Sequence, residues 1–192
     1  ETQSGYHSTG RSAAALSEVL GTPAVRALTR YGRVFLENPP EGFATAPLTR
    51  RRAWLFIGRA DQRADFDALL AEAAGGMDPL DPAEAECLFP ILRPGYTAHA
   101  ALEPDACDLD VDAIHKGFLR GARAAGAELL TDAEVGAMSR RDGAWRIETT
   151  AGRVEAPILV NAAGAWADAV AQRAGVRQIG LVPKRRTALI LD

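Results

Sequence analysis

The clearest change of hydrophobic pattern along the chain lies within residues 156–176. An apolar, mostly β-branched run at residues 158–160 stops at a group of small residues. Trp166, Val170 and Ala174 then recur at the spacing of one helical face. The pattern therefore predicts a strand, a tight turn and a helix, in that order.

The predicted turn, Asn161-Ala162-Ala163-Gly164, has very little side-chain bulk. A ligand could approach its backbone closely, and the first N–H groups of the following helix would point toward that ligand. Such a turn is typical of a diphosphate site. Small residues also allow a strand and a helix to pack closely, and the stretch taken alone favours neither interpretation.

Caps, prolines and apolar spacing predict the elements of the first hundred residues. A loop leading into a helix is expected between Ser8 or Thr9 and Gly21, and a second helix begins at Thr22-Pro23 and ends near residue 38. The other elements predicted here are a strand at 53–57, a helix ending at 75–76, a helix from 81 to before 90, and a strand within 96–102.

The second half begins with a helix from about residue 108 to Gly126, whose acidic first turn and basic last turn suit the helix dipole. Strands are then predicted at 128–130, 135–139, 144–149, 153–156 and 158–160, with a further strand at 187–192. A helix, a meander, a strand, a glycine turn and a helix follow one another in the later part of a nucleotide-binding α/β domain. The predicted fold class is therefore α/β.

The composition argues against several classes of protein. The 192 residues are 47% hydrophobic and 24% charged, which suits a soluble globular protein, and the net charge of -3 gives no basic field for nucleic acid. Cys87 and Cys107 lack the spacing of a disulfide framework or a metal site, so we expect reduced thiols in a cytoplasmic protein. No apolar run reaches the roughly 18 residues of a transmembrane segment.

Six stretches of the sequence resemble one protein family. They are residues 5–14, 21–29, 38–43, 143–145, 160–166 and 181–187. By these stretches the chain is identified as a member of the FAD-dependent D-amino-acid oxidase and dehydrogenase superfamily, and it is most similar to bacterial D-arginine dehydrogenases. The resemblance implies FAD as cofactor. It also implies an FAD-binding, Rossmann-like domain at 1–50 and 103–182, with parts of an α+β substrate domain at 51–102 and 183–192.

The family's Gly-x-Gly-x-x-Gly turn, which holds the FAD diphosphate, does not precede Glu1, and the family's C-terminal half would follow residue 192. We therefore expect this chain to be a fragment that is inactive alone. Unpaired apolar strand edges at 158–160 or 188–191 are expected to promote its self-association.

The resemblance also implies three cofactor-binding segments. A loop under the diphosphate and at the flavin ring carries Ser8, Thr9, Arg11, Ser12, Ala13 and Ala14. Val135 would bind the adenine through its backbone N–H and C=O. Ala162, Ala163 and Gly164 would form a second small-residue turn against the cofactor. Without the resemblance, helix capping would be the preferred interpretation of Ser8 and Thr9.

Two positions suggest the substrate. Trp54 aligns with an acidic residue that faces the cationic side chain in D-arginine dehydrogenases, and Leu20 and Ala15 align with a Tyr and a His near the flavin. An apolar pocket cannot pair a guanidinium, so Trp54 and Leu20 favour a different secondary amine, a hydroxy acid, or an apolar or aromatic D-amino acid. Of these, the resemblance implies a D-amino acid. It would be oxidised to an imino acid by hydride transfer to FAD.

Several alternatives stay open. The chain could belong to a sarcosine-oxidase-like or glycerol-3-phosphate-dehydrogenase-like flavoenzyme, or be a non-catalytic fragment. No residue is assigned as catalytic, and no electron acceptor is identified. His7 is interpreted as a loop residue with a structural hydrogen bond.

Overall fold

The computed structural model describes residues 1–185 and 187. Contacts between residues divide the chain into two compact units. The central unit comprises Ser12–Ala125, and the terminal unit comprises Glu1–Arg11 together with the described residues from Gly126 onward. These units are cut at other positions than the predicted FAD-binding and substrate domains, whose boundaries remain a prediction.

The central unit contains four helices and two three-stranded antiparallel sheets. The helices are α1 (Pro23–Glu37), α2 (Arg63–Ala73), α3 (Pro82–Leu88) and α4 (Val111–Ala124). The strands are β1 (Ala15–Leu16), β2 (Thr49–Arg51), β3 (Trp54–Gly58), β4 (Asp78–Leu80), β5 (His99–Glu103) and β6 (Cys107–Leu109). One sheet has the order β1-β6-β2 and the other β3-β5-β4.

In its described residues, the terminal unit contains an antiparallel meander and one short helix. The meander consists of β7 (Val135–Arg141), β8 (Ala144–Thr149) and β9 (Gly152–Ala156), in that order. A 3₁₀ turn at Gly164–Trp166 leads into α5 (Ala167–Arg173), and another 3₁₀ turn lies at Thr9–Arg11. The predicted meander and the predicted helix after the glycine turn are thus confirmed.

Three predicted helix starts are confirmed in the central unit. The Thr22 side chain accepts the N–H of Val25 at the start of α1, and Pro23 takes the first helical position. At α3, Asp81 and Glu84 form a capping box. The Asp81 side chain accepts a backbone N–H of the first helical turn, and the Glu84 side chain accepts the backbone N–H of Asp81. At α4, Asp110 accepts the N–H of Ala113 at 2.8 Å.

A hydrophobic cluster between α2 and the β3-β5-β4 sheet forms the core of the central unit. Its buried members are Val19, Phe66, Ala73, Met77 and Ala101, and Leu20, Phe56, Leu69 and Leu70 pack against them. The cluster therefore fixes the segment that carries Val19 and Leu20 against the sheet.

The predicted helix between residue 8 and Gly21 is wrong. This stretch contains the 3₁₀ turn Thr9–Arg11 and then strand β1, in which Ala15 pairs with Asp108 and Leu16 with Cys107. Alanine favours a helix locally, but the helical preference of each residue amounts to less than about 1 kcal/mol. Pairing with a strand more than ninety residues away overrides it.

The predicted strands at 128–130 and 158–160 are wrong as well. Ile158 and Val160 expose 76% and 78% of their surface, and among the described residues no strand pairs with this run. A strand requires a hydrogen-bonded neighbour, so β-branched composition alone does not produce one. The strand predicted at 187–192 lies, apart from Thr187, outside the described residues.

Candidate functional site

The loop at residues 5–11 carries three of the predicted cofactor contacts. Gly5 has a φ of +79°, and the Gly10 N–H donates to the Gly5 carbonyl at 2.7 Å, which closes the loop. The Arg11 guanidinium lies 4.4 Å from the centre of the Tyr6 ring. Ser8, Thr9 and Arg11 are exposed. The loop is therefore internally braced, and its hydroxyl groups lie on the surface.

An aromatic contact joins this loop to the glycine turn. The centres of the His7 and Trp166 rings are 4.7 Å apart, and the Tyr6 ring stands edge-on to His7 at 5.1 Å. His7 Nε2 also lies 3.6 Å from a carboxylate oxygen of Glu1. Residues 8–11 of one predicted cofactor segment and the glycine turn at 162–164, which are about 150 residues apart in sequence, are thus neighbours within the terminal unit.

The glycine turn is held by Asn161, a residue to which sequence analysis gave no separate role. Its Oδ1 accepts the Ala163 N–H at 3.2 Å and its Nδ2 donates to the Ala167 carbonyl at 2.8 Å. The Ala163 N–H is therefore partnered inside the turn. An Asn directly before a helical turn is a recognised signal for such bonding, and it could have identified Asn161 from the sequence.

The backbone conformation at Gly164 favours glycine. Its φ is +54°, in the left-handed region, while a Cβ added there would meet no atom within 4 Å. Ala162 and Gly164 are exposed and Ala163 is half-buried. The surface of the turn is therefore open to a ligand.

Val135 lies at the start of β7, on the edge of the meander. The Thr150 N–H donates to the Glu134 carbonyl at 3.1 Å, so the Glu134 carbonyl faces β8. Successive residues of a strand direct their backbone groups to opposite sides, so the Val135 N–H and C=O face away from the sheet. Arg173 Nη1 donates to this carbonyl.

A pocket of about 400 Å³ adjoins this edge. It is lined by Glu134, Val135, Gly136, Glu148, Thr149, Thr150 and Arg173. The edge of β7 therefore directs a backbone donor and a backbone acceptor toward a cavity, as recognition of an adenine edge requires, and Arg173 donates to that acceptor.

The remaining predicted contacts belong to the central unit. Ser12 and Ala13 are exposed, and the Ala14 carbonyl accepts the Leu109 N–H at 3.1 Å, just before β1 begins. Leu20 packs against the hydrophobic cluster. Trp54 is half-buried on β3, with its ring centre 6.1 Å from that of Phe56.

Glu103, at the end of β5, was missed by sequence analysis. It is only 2% exposed. Its two carboxylate oxygens accept the Ser17 hydroxyl at 2.8 Å and the Glu18 N–H at 2.9 Å. It also pairs across the sheet with Trp54. A charged residue at a strand end is usually exposed, so the sequence carried no signal of this burial.

One carboxylate near the glycine turn has a shifted pKa. The backbone N–H of Ile179, and with it those of Leu181 and Gly180, holds the pKa of Asp168 below its ordinary range. The corresponding bonds from Ile179 and Leu181 measure 2.9 and 2.8 Å. The segment at 179–181 is thereby tied to the first turn of α5.

Other candidate chemistry is limited in the part of the chain that the structure describes. No cluster of three or more His, Cys, Asp or Glu side chains there could hold a metal ion. Cys87 is exposed and Cys107 is buried, and both are free thiols, as predicted. Over the same residues, no helix is long and apolar enough to cross a membrane.

Comparison with protein families gives a match over the whole chain. The family described as DAO, FAD dependent oxidoreductase, matches residues 1–192. The human mitochondrial dimethylglycine dehydrogenase is 32% identical over 98 residues. That match covers 50% of this chain and 11% of the relative, so the chain spans only a small part of that protein.

Two solved structures share the fold. L-proline dehydrogenase from P. horikoshii matches with a TM-score of 0.70 at 22% identity, over 88% of this chain and 46% of that protein. The dithionite-reduced L-alpha-glycerophosphate oxidase from Mycoplasma pneumoniae, with FAD bound, matches with a TM-score of 0.72 at 15% identity, over 87% of this chain and 47% of that protein. The chain thus spans about half the length of each.

Proposed function

Because this chain belongs to the family of FAD-dependent oxidoreductases, we propose that it forms part of an enzyme that oxidises the C–N bond of an amino acid. FAD, when bound, accepts the hydride that leaves the substrate carbon. The observation that carries the proposal is the contact between His7 and Trp166, which brings the loop at 5–11 beside the glycine turn at 161–164. These are two of the segments expected to hold the cofactor.

The described residues fit FAD on two grounds. The turn at Gly164 has an open surface and a backbone that only glycine adopts easily, so a diphosphate could lie against it. At the edge of β7, the Val135 N–H would donate to an adenine, and the Val135 carbonyl, to which Arg173 donates in this structure, would accept from it. In the proposed site, Ser8, Thr9 and Arg11 would donate to the diphosphate, and Ser12 to Ala14 would lie at the flavin ring.

For the substrate we propose a D-amino acid with an apolar or aromatic side chain. Trp54 and Leu20 supply apolar surface, and an unpaired guanidinium or ammonium group against them would be costly. The role of this chain would be to bind and orient the substrate and to exclude water, since flavin chemistry requires alignment of the substrate more than a protein base.

A second candidate substrate is an N-substituted amino acid. It is favoured by the 32% identity with dimethylglycine dehydrogenase, whose name refers to such a compound. This candidate corresponds to the sarcosine-oxidase-like alternative and would use the same cofactor segments.

Anaerobic flavin reduction tests the proposal, because it requires no knowledge of the electron acceptor. The intact, flavin-loaded protein is mixed with D-leucine, D-phenylalanine, D-arginine, D-lysine, sarcosine, dimethylglycine or glycerol 3-phosphate, and the loss of flavin absorbance is followed. For each substrate, the limiting rate of flavin reduction is divided by the half-saturating concentration. We expect this ratio to be higher for the apolar D-amino acids than for the basic ones. A preference for D-arginine would contradict the interpretation of Trp54. A preference for sarcosine or dimethylglycine would select the second candidate.

A further inference from the structure

Glu103 is a buried carboxylate to which the proposed site gives no role. It is 2% exposed, and it is one of the two largest side chains of the described chain that are almost completely buried. Its partners at 2.8 and 2.9 Å are the Ser17 hydroxyl and the Glu18 N–H, more than eighty residues away in sequence. A buried charge with incomplete hydrogen bonding is strongly destabilising, so these two bonds are expected to be firmly kept.

Ser17 and Glu18, which donate to Glu103, lie between a predicted cofactor contact and a predicted substrate contact. Ser12 to Ala14, just before them, are predicted to lie at the flavin ring. Val19, just after them, is 3% exposed in the hydrophobic cluster, and Leu20 packs against the same cluster. Glu103 therefore fixes the chain between a predicted cofactor contact and a predicted substrate contact.

Arg33 on α1 also binds this segment. Arg33 Nε donates to the Glu18 carboxylate, and Arg33 Nη2 donates to the Asp105 carbonyl at 2.7 Å. Glu18 is thus bound through its backbone by β5 and through its side chain by α1. The turn from Ser17 to Leu20 has little freedom to move while both connections persist.

Glu103 also stands next to the other predicted pocket residue. Trp54 on β3 is its direct cross-strand partner in the antiparallel sheet. Directly paired residues project from the same face of a sheet, so the two side chains are neighbours. One carboxylate therefore contacts the turn that leads to Leu20 and adjoins the strand position of Trp54.

We propose that Glu103 is a positioning residue for the substrate pocket: it holds Ser17 and Glu18 so that Leu20 and Trp54 keep a fixed relation. This inference rests on the proposed function, because it assumes that Leu20 and Trp54 face the substrate. The segment Ser17–Leu20, its anchor Glu103 and Trp54 all belong to the central unit.

The test uses Ser17→Ala, Glu103→Ala and Glu103→Gln in the intact, flavin-loaded protein. Ser17→Ala removes one bond and leaves Glu103 in place, so it is the variant most certain to fold. Glu103→Gln should rescue function, because the amide oxygen still accepts the Glu18 N–H and the amide nitrogen donates to the Ser17 hydroxyl. Thr97→Val is the control, since Thr97 is also buried, at 5% exposure, and its hydroxyl has no partner.

Two measurements are made on each variant. One is hydrogen exchange of the Glu18 amide, which should become at least about tenfold faster in Ser17→Ala and Glu103→Ala. The other is the anaerobic reduction of the flavin by D-leucine. The half-saturating concentration should rise about three- to tenfold in these two variants, with the limiting rate within twofold, as expected for a loss of binding and not of chemistry. Glu103→Gln and Thr97→Val should stay near wild type in both.

Either of two results would overturn the inference. Unchanged exchange of Glu18 in both Ser17→Ala and Glu103→Ala would show that Glu103 does not hold the turn. Faster exchange with an unchanged half-saturating concentration would show that the turn does not shape the pocket. A wild-type protein that binds FAD but is reduced by no amino acid would instead contradict the proposed function, and the exchange data would still decide whether Glu103 holds the turn.

Discussion

The two units of this protein differ in how many apolar residues they bury. The central unit buries a core that includes Leu48, Phe66 and Met77, at 1%, 7% and 5% exposure. In the described part of the terminal unit, the buried apolar residues are Ile147 and Ala171. The terminal unit exposes large apolar side chains such as Ile158, Val160 and Ile179, and the central unit exposes others such as Leu28, Tyr31 and Val34.

This difference separates stability from binding. The residues proposed to orient the substrate, Leu20 and Trp54, lie on the packed central unit, where a substitution also disturbs the core. Most backbone groups proposed to hold the cofactor, at Gly164 and Val135, lie on the open surface of the terminal unit. Substitutions in the core of the central unit should therefore lower stability, whereas substitutions at the open surface of the terminal unit should affect cofactor binding. Four predictions test this difference.

The largest effect is expected for Phe66→Ala in the central unit. Loss of a buried phenyl ring costs about 3–5 kcal/mol of unfolding free energy, because it removes buried area and leaves a cavity. Ile158→Ala in the terminal unit is the comparison variant, since Ile158 is 76% exposed, and it should cost less than about 0.5 kcal/mol. Chemical denaturation of both variants provides the measurement. Similar losses would remove the contrast between the units.

The second prediction concerns cofactor binding at the glycine turn. Gly164→Val places a branched side chain on the open surface of the turn and strains a backbone with φ at +54°. Gly175→Val is a matched control, because Gly175 has a φ of +67° and open space around it. Each should lose about 1–2 kcal/mol of stability from backbone strain.

In the intact protein, only Gly164→Val should also lose FAD, with affinity at least about tenfold weaker by flavin absorbance of the folded protein. Val135→Ala should retain FAD, since its proposed contact is made by the backbone. Equal flavin content in the two glycine variants would exclude the turn from the cofactor site.

A smaller effect is expected at Arg173. Its guanidinium donates to the Val135 carbonyl, which we propose as the acceptor for the adenine amino group, so the two donors compete. Arg173→Gln should strengthen FAD binding by about two- to fivefold, within the net value of one hydrogen bond. Titration of flavin fluorescence with ADP as competitor measures this, with the exposed Arg177→Gln as control. Weaker binding would make Arg173 a ligand of the cofactor.

The smallest effect concerns pH. The folded-state pKa of Asp168 is lowered by the N–H groups of Ile179, Leu181 and Gly180. Its ionised form therefore stabilises the segment at 179–181 above the ordinary Asp range, and this contribution is lost as the pH falls through the lowered pKa. The protection of the Ile179 and Leu181 amides relative to their intrinsic exchange rates should fall on acidification, and less so in Asp168→Asn. Exchange that shows the same pH profile in both proteins, after correction for intrinsic rates, would refute this role.

Features that depend on near neighbours in the chain could be predicted from the sequence. The starts of α1, α3 and α4 follow from Thr22, Asp81 and Asp110, because a capping side chain bonds to a backbone group two or three residues away. The family was also evident from short motifs, including the small residues at 162–164. These motifs predicted the cofactor, and the positive φ of Gly164 agrees with the predicted turn.

Tertiary structure decided the features that depend on distant partners. Ala15 and Leu16 became a strand because Asp108 and Cys107 lie beside them, whereas the more β-branched run at 158–160 has no paired strand among the described residues. The burial of Glu103 depends on Ser17 and Glu18, and the adjacency of the two cofactor segments depends on His7 and Trp166. Strand pairing and burial depend on contacts between residues that are far apart in the sequence, so the local pattern of hydrophobic and polar residues does not encode them.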